Sequence, residues 1–285
     1  VSAGPGQSGR GHTWPSTGTT RAPCCTGLTV TTPLPPRGAR LKPGDSLADV
    51  GGGTGQFALN VATAAGLKPT DVMVVEPSAA MLFGEGEDEE AGGDNCDDAK
   101  PGEPARIHLG AQEWCNLAVG AAEAGPAAGF GCVLLKEMVH HLDVPLPGLF
   151  RAMRERRLAE GGRVVIVTRP QTDTDYPFFD GAQKVWEENQ PSSDSIMAAL
   201  ADGGFADVRK TVLRYPLAIK TDEWCTMVEN RFWSTFSHFT DEELRAGTDV
   251  IRRNADGSDT LQFEERTVVI TASMREYGDG EKWMA

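Results

Sequence analysis

A glycine-rich turn between an apolar run and a helical pattern limits most strongly how this chain can fold. The run SLADV (46–50) predicts a short buried strand, and FALNVATAAG (57–66) has the apolar spacing of a helix that ends at a glycine. Four glycines lie between them: Gly51, Gly52, Gly53 and Gly55. Glycine allows dihedrals and close approaches that a Cβ atom would block. This order of elements is typical of the first unit of an α/β fold.

Strand and helix patterns alternate along the rest of the chain. Further strands are predicted at 71–77, 105–110, 129–137, 163–170, 208–219 and 265–274, and further helices at 78–84, 145–162 and 195–205. Such alternation predicts a doubly wound parallel sheet. The segment 221–253 is too long for a hairpin turn and has helical character, so we expect a helical cap over the sheet.

Composition divides the chain into parts. Residues 1–40 are rich in Gly, Pro, Ser and Thr and contain no acidic residue. This composition predicts disorder, with an organelle transit segment as the alternative. Residues 41–285 are expected to form one domain, and the acidic, glycine-rich stretch 84–105 is expected to be a surface insertion. We accordingly expect a cytoplasmic protein, or an organellar one if the first 40 residues are a transit segment.

Charge and cysteine spacing exclude several classes of protein. The net charge of -14 argues against nucleic acid as the main partner, and no apolar run is long enough for a membrane span. The six cysteines form no C-x-x-C pair, and no Cys/His group has zinc-like spacing, so no metal site is predicted. A reducing compartment is the simpler interpretation. The oligomeric state does not follow from the sequence.

Two ligand classes could occupy the glycine turn. The dinucleotide pattern G-x-G-x-x-A fits from Gly53 to Ala58, and the S-adenosylmethionine pattern D-x-G-x-G-x-G fits from Asp49 to Gly55. A carboxylate at Asp49 would repel a pyrophosphate but attract an ammonium or a sulfonium group. Glu76, at the end of the second predicted strand, is placed to accept ribose hydroxyls in either class. Asp49 therefore favours S-adenosylmethionine.

Four stretches carry a resemblance to a known family. They are LADVGGGTG, VVEPSAAML, GCVLLKEMVHHL and LAEGGRVVIVTRP. The sequence resembles the class I S-adenosylmethionine-dependent methyltransferases, in particular the small-molecule, methyltransferase type 11-like group, over about residues 41 to 274. The resemblance implies a seven-stranded Rossmann-like sheet whose last strand is antiparallel. It also implies S-adenosylmethionine as the cofactor and a small molecule as the methyl acceptor.

The resemblance also assigns cofactor contacts. The implied set is Asp49, Gly51, Gly53, Gly55, Glu76, Pro77, Met81 and Lys136. The family usually has an acid after the third strand to hold the adenine amino group, but this sequence has Ala111 there. A backbone amide or the neighbouring Gln112 would have to replace it. The family's usual N-terminal helix is also not visible in residues 1–40.

Three side chains just beyond the fourth predicted strand are candidates for catalysis. Methyl transfer mostly needs a positioned nucleophile, and a general base only if the acceptor loses a proton. His140 or His141 could be that base, and Glu137 is a second candidate. The alternative is that VHHL merely begins a helix, with one packed and one solvated histidine.

The predicted cap supplies candidates for acceptor binding: Trp224, Arg231, Trp233 and Ser234. An aromatic cap with an arginine could close over an acceptor that carries a carboxylate. The alternative is a packing helix in which Arg231 makes a structural ion pair. For the whole chain, the main hypothesis is methyl transfer to a small molecule. The alternatives are a non-catalytic interaction protein with the methyltransferase fold and a dinucleotide oxidoreductase.

Overall fold

A seven-stranded sheet forms the centre of the computed structural model, which describes residues 41–84 and 102–274. Its strands are β1 (Leu47–Val50), β2 (Val72–Val75), β3 (Ala105–Ile107), β4 (Phe130–Lys136), β5 (Leu158–Thr168), β6 (Asp207–Lys220) and β7 (Thr260–Ser273). The strand order is β3-β2-β1-β4-β5-β7-β6, and β7 is antiparallel to both of its neighbours. The predicted α/β sheet with an antiparallel last strand is confirmed.

Helices cover the sheet and connect its strands. Those of the described residues are α1 (Gln56–Ala65), α2 (Ala79–Phe83), α3 (Ala111–Asn116), α4 (Leu146–Arg156), α5 (Asp180–Asn189), α6 (Ser193–Asp202), α7 (Thr221–Glu229) and α8 (Asp241–Asn254). Short 3-10 turns lie at Pro69–Asp71, Ala122–Ala124, Val139–His141 and Ser234–His238.

Both faces of the central strands are buried. In β4, Val133 and Leu135 pack into one apolar cluster with Leu149 of α4, whereas Leu134 faces a second cluster with Ala58 of α1. Burial on both faces explains why the sequence of β4 is almost continuously apolar. The two clusters hold the carboxyl ends of the parallel strands at one edge of the sheet.

Two helix predictions were inaccurate. The helix expected at 145–162 ends at Arg156, and residues from Leu158 belong to β5. Gly162, interpreted from sequence as part of a helix stop, lies instead where β5 meets β4. A Cβ atom built there would be 2.6 Å from the Phe130 carbonyl oxygen, so the glycine permits close strand contact. Helix α5 was not predicted at all.

The segment between β6 and β7 is helical, and its two ends lie next to each other. It contains α7, the 3-10 turn Ser234–His238 and α8. The backbone N–H of Thr221 donates to the Asp259 carbonyl across 2.9 Å, which joins the two ends of the segment. We call residues 221–259 the cap.

Some expectations concern residues outside the described part. These are the disordered or targeting-like segment 1–40 and most of the insertion at 84–105. Within the described residues, no helix combines the length and apolar character that crossing a membrane requires.

Candidate functional site

The glycine turn lies at the carboxyl end of β1 and is held to β2. The N–H of Gly51 donates to the Val75 carbonyl across 2.7 Å. Gly53 has a φ of 55° and Gly55 a φ of 76°, both in the left-handed region that favours glycine. A Cβ atom at Gly55 would lie 2.6 Å from a methyl group of Val74. The turn therefore combines positive φ angles with close packing on β2.

Glu76 directly follows β2 and reaches across to the glycine turn. One carboxylate oxygen accepts the N–H of Gly53 across 2.9 Å, and the other accepts the N–H of Ser78 across 3.0 Å. The residue is 8% exposed. Each carboxylate oxygen has more than one lone pair, so both can also accept a hydroxyl group. Glu76 is thus fixed in place with acceptor capacity left over.

Asp49, in β1, is buried beneath the same turn. Its Oδ1 atom is buried and accepts no hydrogen bond from the described residues. Burial raises the pKa of this carboxyl to about 7, with Glu76 adding to the rise and Lys136 opposing it. An unpaired buried carboxylate is costly, so the site is suited to a positively charged group that would pair with Asp49.

Lys136 ends β4 on the other side of β1. Its ammonium lies 5.1 Å from the centre of the Phe57 ring. Burial lowers its pKa, although the nearby carboxylates of Glu137 and Asp49 act in the opposite direction. Asp49 therefore lies within electrostatic reach of two other predicted cofactor residues, Glu76 and Lys136.

The predicted contacts near β3 form the other wall of this region. Met81 is 53% exposed, and its Cε atom would be 3.0 Å from a Cβ atom at Gly53. The Pro77 carbonyl lies 2.9 Å from Nε2 of His108. Ala111 begins α3 and is buried, while the Gln112 amide donates to the Asn116 side chain across 3.2 Å. His108 was not among the predicted residues.

Glu137 follows β4 in an unusual backbone conformation. Its φ is 52°, which is uncommon for a residue other than glycine, and its N–H donates to the Val167 carbonyl across 2.8 Å. Its carboxylate accepts a hydrogen bond from Arg169 across 2.6 Å. Strained backbone of this kind is often found at functional sites. The next residue, Met138, packs on the glycine turn, because a Cβ atom at Gly51 would be 2.9 Å from Cβ of Met138.

Arg169, just beyond β5, is the centre of a network that the sequence analysis missed. Its Nε donates to Glu265 across 3.0 Å, and Tyr176 donates its hydroxyl to the same carboxylate oxygen across 2.8 Å. The guanidinium also lies 5.1 Å from the centre of the Trp233 ring. Burial acts to lower the pKa of Arg169, but Glu137, Tyr176 and Glu265 together raise it above its ordinary value, so the residue stays charged. No local sequence pattern connects positions so far apart.

The two histidines lie in the 3-10 turn after β4. Their ring centres are 4.0 Å apart. Burial, with a contribution from His141, lowers the pKa of His140 to about 4, so His140 is neutral at pH 7. Its Nδ1 is buried and has no hydrogen-bond partner among the described residues, whereas His141 is exposed. His140 therefore has the protonation state that a base requires.

The predicted cap residues have different environments. Trp224 is completely buried and donates its indole N–H to the Pro177 carbonyl across 3.0 Å. Arg231 donates to Asp241 across 2.6 Å and to the Phe239 carbonyl across 3.0 Å. Trp233 is half-buried against Arg169, and Ser234 is exposed. Trp233 is the cap residue that the structure brings to the carboxyl edge of the sheet.

Metal binding finds no support in these side chains. Within residues 41–84 and 102–274, no group of three or more His, Cys, Asp or Glu side chains is arranged to hold a metal ion. The cysteines described there, Cys115, Cys132 and Cys225, are buried.

Comparisons with known proteins agree with this geometry. A sequence model described as a methyltransferase domain matches residues 28–241, which is most of the chain. The chain therefore belongs to the methyltransferase domain family, and its fold is that of the class I S-adenosylmethionine-dependent methyltransferases. A search among proteins of curated function found no match.

Solved structures share the fold at low sequence identity. The YcgJ protein of Bacillus subtilis is 14% identical with a TM-score of 0.53, over 87% of this chain and 99% of that one. Phosphoethanolamine N-methyltransferase 2 of Haemonchus contortus was solved with phosphomonomethylethanolamine and S-adenosylhomocysteine. It is 16% identical with a TM-score of 0.50, over 88% of this chain and 53% of that one. At these identities the likeness shows the fold alone.

The cofactor of this class is S-adenosylmethionine, and the residues present fit it. The unpaired Oδ1 of Asp49 suits the ammonium of the methionine part. The fixed carboxylate of Glu76 has acceptor capacity for ribose hydroxyls. A Cβ atom at Gly53 would lie 3.0 Å from Cε of Met81, so the glycine lets the turn lie close to this predicted adenosine contact.

Proposed function

We propose that this protein transfers a methyl group from S-adenosylmethionine to a small-molecule acceptor. The observation that carries the proposal is the pair of acids beside the glycine turn. Asp49 has a buried oxygen without a partner, and Glu76 is held by two backbone N–H groups. A dinucleotide would bring a pyrophosphate to this turn, next to a carboxylate that is expensive to leave ionised and unpaired.

Each residue of the site has a distinct task in this proposal. Glu76 binds the ribose, Asp49 binds the ammonium, and Met81 covers the adenosine. The sulfonium of the bound cofactor supplies a methyl group that is already activated for displacement. The protein's main contribution is then to position the acceptor and to exclude water.

A base is needed only for acceptors that must lose a proton. Of the two histidines, His140 is the candidate that we favour, because its buried Nδ1 has no hydrogen-bond partner among the described residues. Glu137 is held by Arg169 and is better suited to binding than to proton transfer. The cap lies between β6 and β7, and we propose that Trp233 and its neighbours cover the acceptor.

Calorimetric titration of the full chain tests the cofactor assignment. S-adenosylmethionine and S-adenosylhomocysteine are expected to bind, and NAD is not. Comparable binding of NAD would overturn the assignment. Incubation of cell extracts with isotope-labelled cofactor, followed by mass spectrometry, should then reveal a methylated small molecule. Cofactor binding with no labelled product in any extract would favour the non-catalytic interaction protein.

A further inference from the structure

The charge of the acceptor can be inferred from the groups beside Glu137. This inference rests on the proposed function, because it concerns the acceptor part of the same site. Met138 packs on Gly51, so Glu137 lies next to the glycine turn at the carboxyl edge of the sheet. Arg169 and Glu265 complete the charged groups in direct contact there. One guanidinium therefore lies between two carboxylates.

Arg169 is already paired with two carboxylates. Its Nη1 donates to Glu137 across 2.6 Å and its Nε donates to Glu265 across 3.0 Å. One face of the guanidinium lies against the ring of Trp233. An acceptor carboxylate would have to displace one of these carboxylates while the other stays nearby. Like charges so close together in a partly buried site repel strongly.

The other nearby cations are also engaged. Lys136 lies over Phe57, and the carboxylates of Asp49 and Glu137 attract it. Arg231, the residue that the sequence suggested for an anionic acceptor, is paired with Asp241. Besides the paired Arg231 and Asp241, the charged groups of this edge are the cations Arg169 and Lys136 and the carboxylates of Asp49, Glu137 and Glu265.

Glu137 can bind a cation directly. Arg169 occupies one carboxylate oxygen, and the other oxygen accepts no hydrogen bond from the described residues. The side chain is 21% exposed, so a solute can reach it. Its backbone is fixed, because its N–H bonds to the Val167 carbonyl. Glu137 is therefore an accessible and well-positioned acceptor of hydrogen bonds.

Aromatic side chains form an apolar wall beside this carboxylate. Trp233 is half-buried, and the Tyr176 ring lies 4.8 Å from it, measured between ring centres. Phe178 packs against both rings, at 5.7 Å from Trp233 and 5.4 Å from Tyr176. Aromatic surfaces favour planar or apolar groups and also stabilise nearby cations.

We infer that the acceptor is a small cationic amine with a planar or apolar body, whose ammonium group is bound by the free carboxylate oxygen of Glu137. Glu137 is then a specificity-determining residue that selects against carboxylate-bearing acceptors. The ammonium group is the recognition element, and the atom that receives the methyl group is a separate matter.

Three probes that share a phenol ring and differ in charge test this inference. Tyramine carries an ammonium group, 3-(4-hydroxyphenyl)propanoate a carboxylate, and 4-(2-hydroxyethyl)phenol a neutral hydroxyl. Each is titrated calorimetrically into the full chain saturated with S-adenosylhomocysteine. Tyramine is expected to bind at least about tenfold more tightly than the carboxylate, with the neutral probe between them. Equal or tighter binding of the carboxylate, or no binding of tyramine, would overturn the inference.

Two variants test the role of Glu137. Glu137→Gln keeps the shape of the side chain and is expected to weaken tyramine about tenfold, to the level of the neutral probe. Glu264→Gln is the matched control, since Glu264 pairs with Arg214 and Arg266 on the exposed surface, and it should leave the preference unchanged. An unchanged preference in Glu137→Gln would overturn the inference. Failure of the wild-type chain to bind S-adenosylhomocysteine would instead overturn the proposed function.

Discussion

The carboxylate of Glu76 accepts the backbone N–H of Gly53 across 2.9 Å, which ties the end of β2 to the turn that follows β1. The same carboxylate accepts the N–H of Ser78 with its other oxygen. One acidic side chain therefore orders both the glycine turn and the start of α2. Glu76 should consequently contribute both to cofactor affinity and to the order of the glycine turn.

Glu76→Ala is expected to weaken the binding of S-adenosylmethionine by at least about tenfold. Charge-assisted hydrogen bonds contribute about 1.5–3 kcal/mol each, and both oxygens are proposed to meet ribose hydroxyls. Glu76→Gln should lose less, because it keeps one acceptor oxygen. Calorimetric titration gives the dissociation constants, with Glu103→Ala as an exposed acidic control. An unchanged constant in Glu76→Ala would remove this residue from the site.

Gly53→Ala should strongly reduce cofactor binding while the protein stays folded. The φ of 55° strains any side chain, and the added Cβ atom would point towards Met81, 3.0 Å from its Cε. Gly120→Ala is a matched control, since its φ is 92° and no atom lies within 4 Å of the added Cβ. Both variants should lose similar thermal stability, and only Gly53→Ala should lose affinity. Equal cofactor affinities in the two variants would contradict a role of Gly53 in cofactor binding.

Cofactor affinity should rise with pH up to about 7 and then level off. Burial raises the pKa of Asp49 to about 7 in the free protein, and an ammonium group bound beside it favours the ionised form. Binding therefore releases a proton below this pKa, which costs affinity of up to about tenfold per pH unit. Titrations between pH 5.5 and 7.5 should show the slope, and Asp49→Asn should abolish it.

The stability of the free protein gives an independent check on Asp49. Its folded-state pKa of about 7 lies above the value of 3.8 expected for an unperturbed aspartate. The folded state therefore retains a proton that the unfolded state releases in this window. The contribution of Asp49 to the free energy of unfolding should fall as pH rises from about 4 to 7, and Asp49→Asn should remove this fall. A slope of the opposite sign would contradict the raised pKa.

Arg231 and Asp241 are expected to act as a pair that holds the cap. Their 2.6 Å ion pair joins the end of α7 to the start of α8, and Arg231 also binds the Phe239 carbonyl. Arg231→Ala and Asp241→Ala should each lower the melting temperature by a few degrees, and the double variant should lose less than the sum. Kinetic assays distinguish this structural role from a role of Arg231 in acceptor binding. If Arg231→Ala lowers turnover while Asp241→Ala does not, Arg231 meets the acceptor.

The glycine turn and the order of strand and helix patterns predicted a doubly wound α/β sheet, and the family resemblance added its antiparallel last strand. Asp49, the glycines and Glu76 are close in sequence, and the carboxyl ends of parallel strands meet at one edge, so their proximity could be inferred. The error at 145–162 arose because glycines after a helical pattern usually end a helix. Gly162 instead allows β5 to approach Phe130, a contact between residues far apart in the chain.

The network around Arg169 could not have been predicted from the sequence. The pairing of β5 with β7 brings Glu265 to Arg169, and the pairing of β4 with β5 brings Glu137 there. Neither pairing is visible in the local sequence patterns of these residues. The sequence could not show that Arg169, and not Arg231, lies at the carboxyl edge of the sheet. The answer depends on which carboxylates each side chain reaches. Such choices depend on distances of a few ångströms across the fold, which periodicity does not contain.

The hydrogen bond between Thr221 and the Asp259 carbonyl joins the two ends of the cap, so the cap is a closed insertion between β6 and β7. Its two ends are joined at neighbouring positions on β6 and β7, where Lys220 pairs with Thr260. Insertions, losses or exchanges of the residues between these points would leave the sheet register and the glycine turn in place. Under the proposed function, the cap's part in acceptor recognition could therefore diversify by replacement of one continuous stretch of chain, while Glu137 and the proposed cofactor residues stay the same.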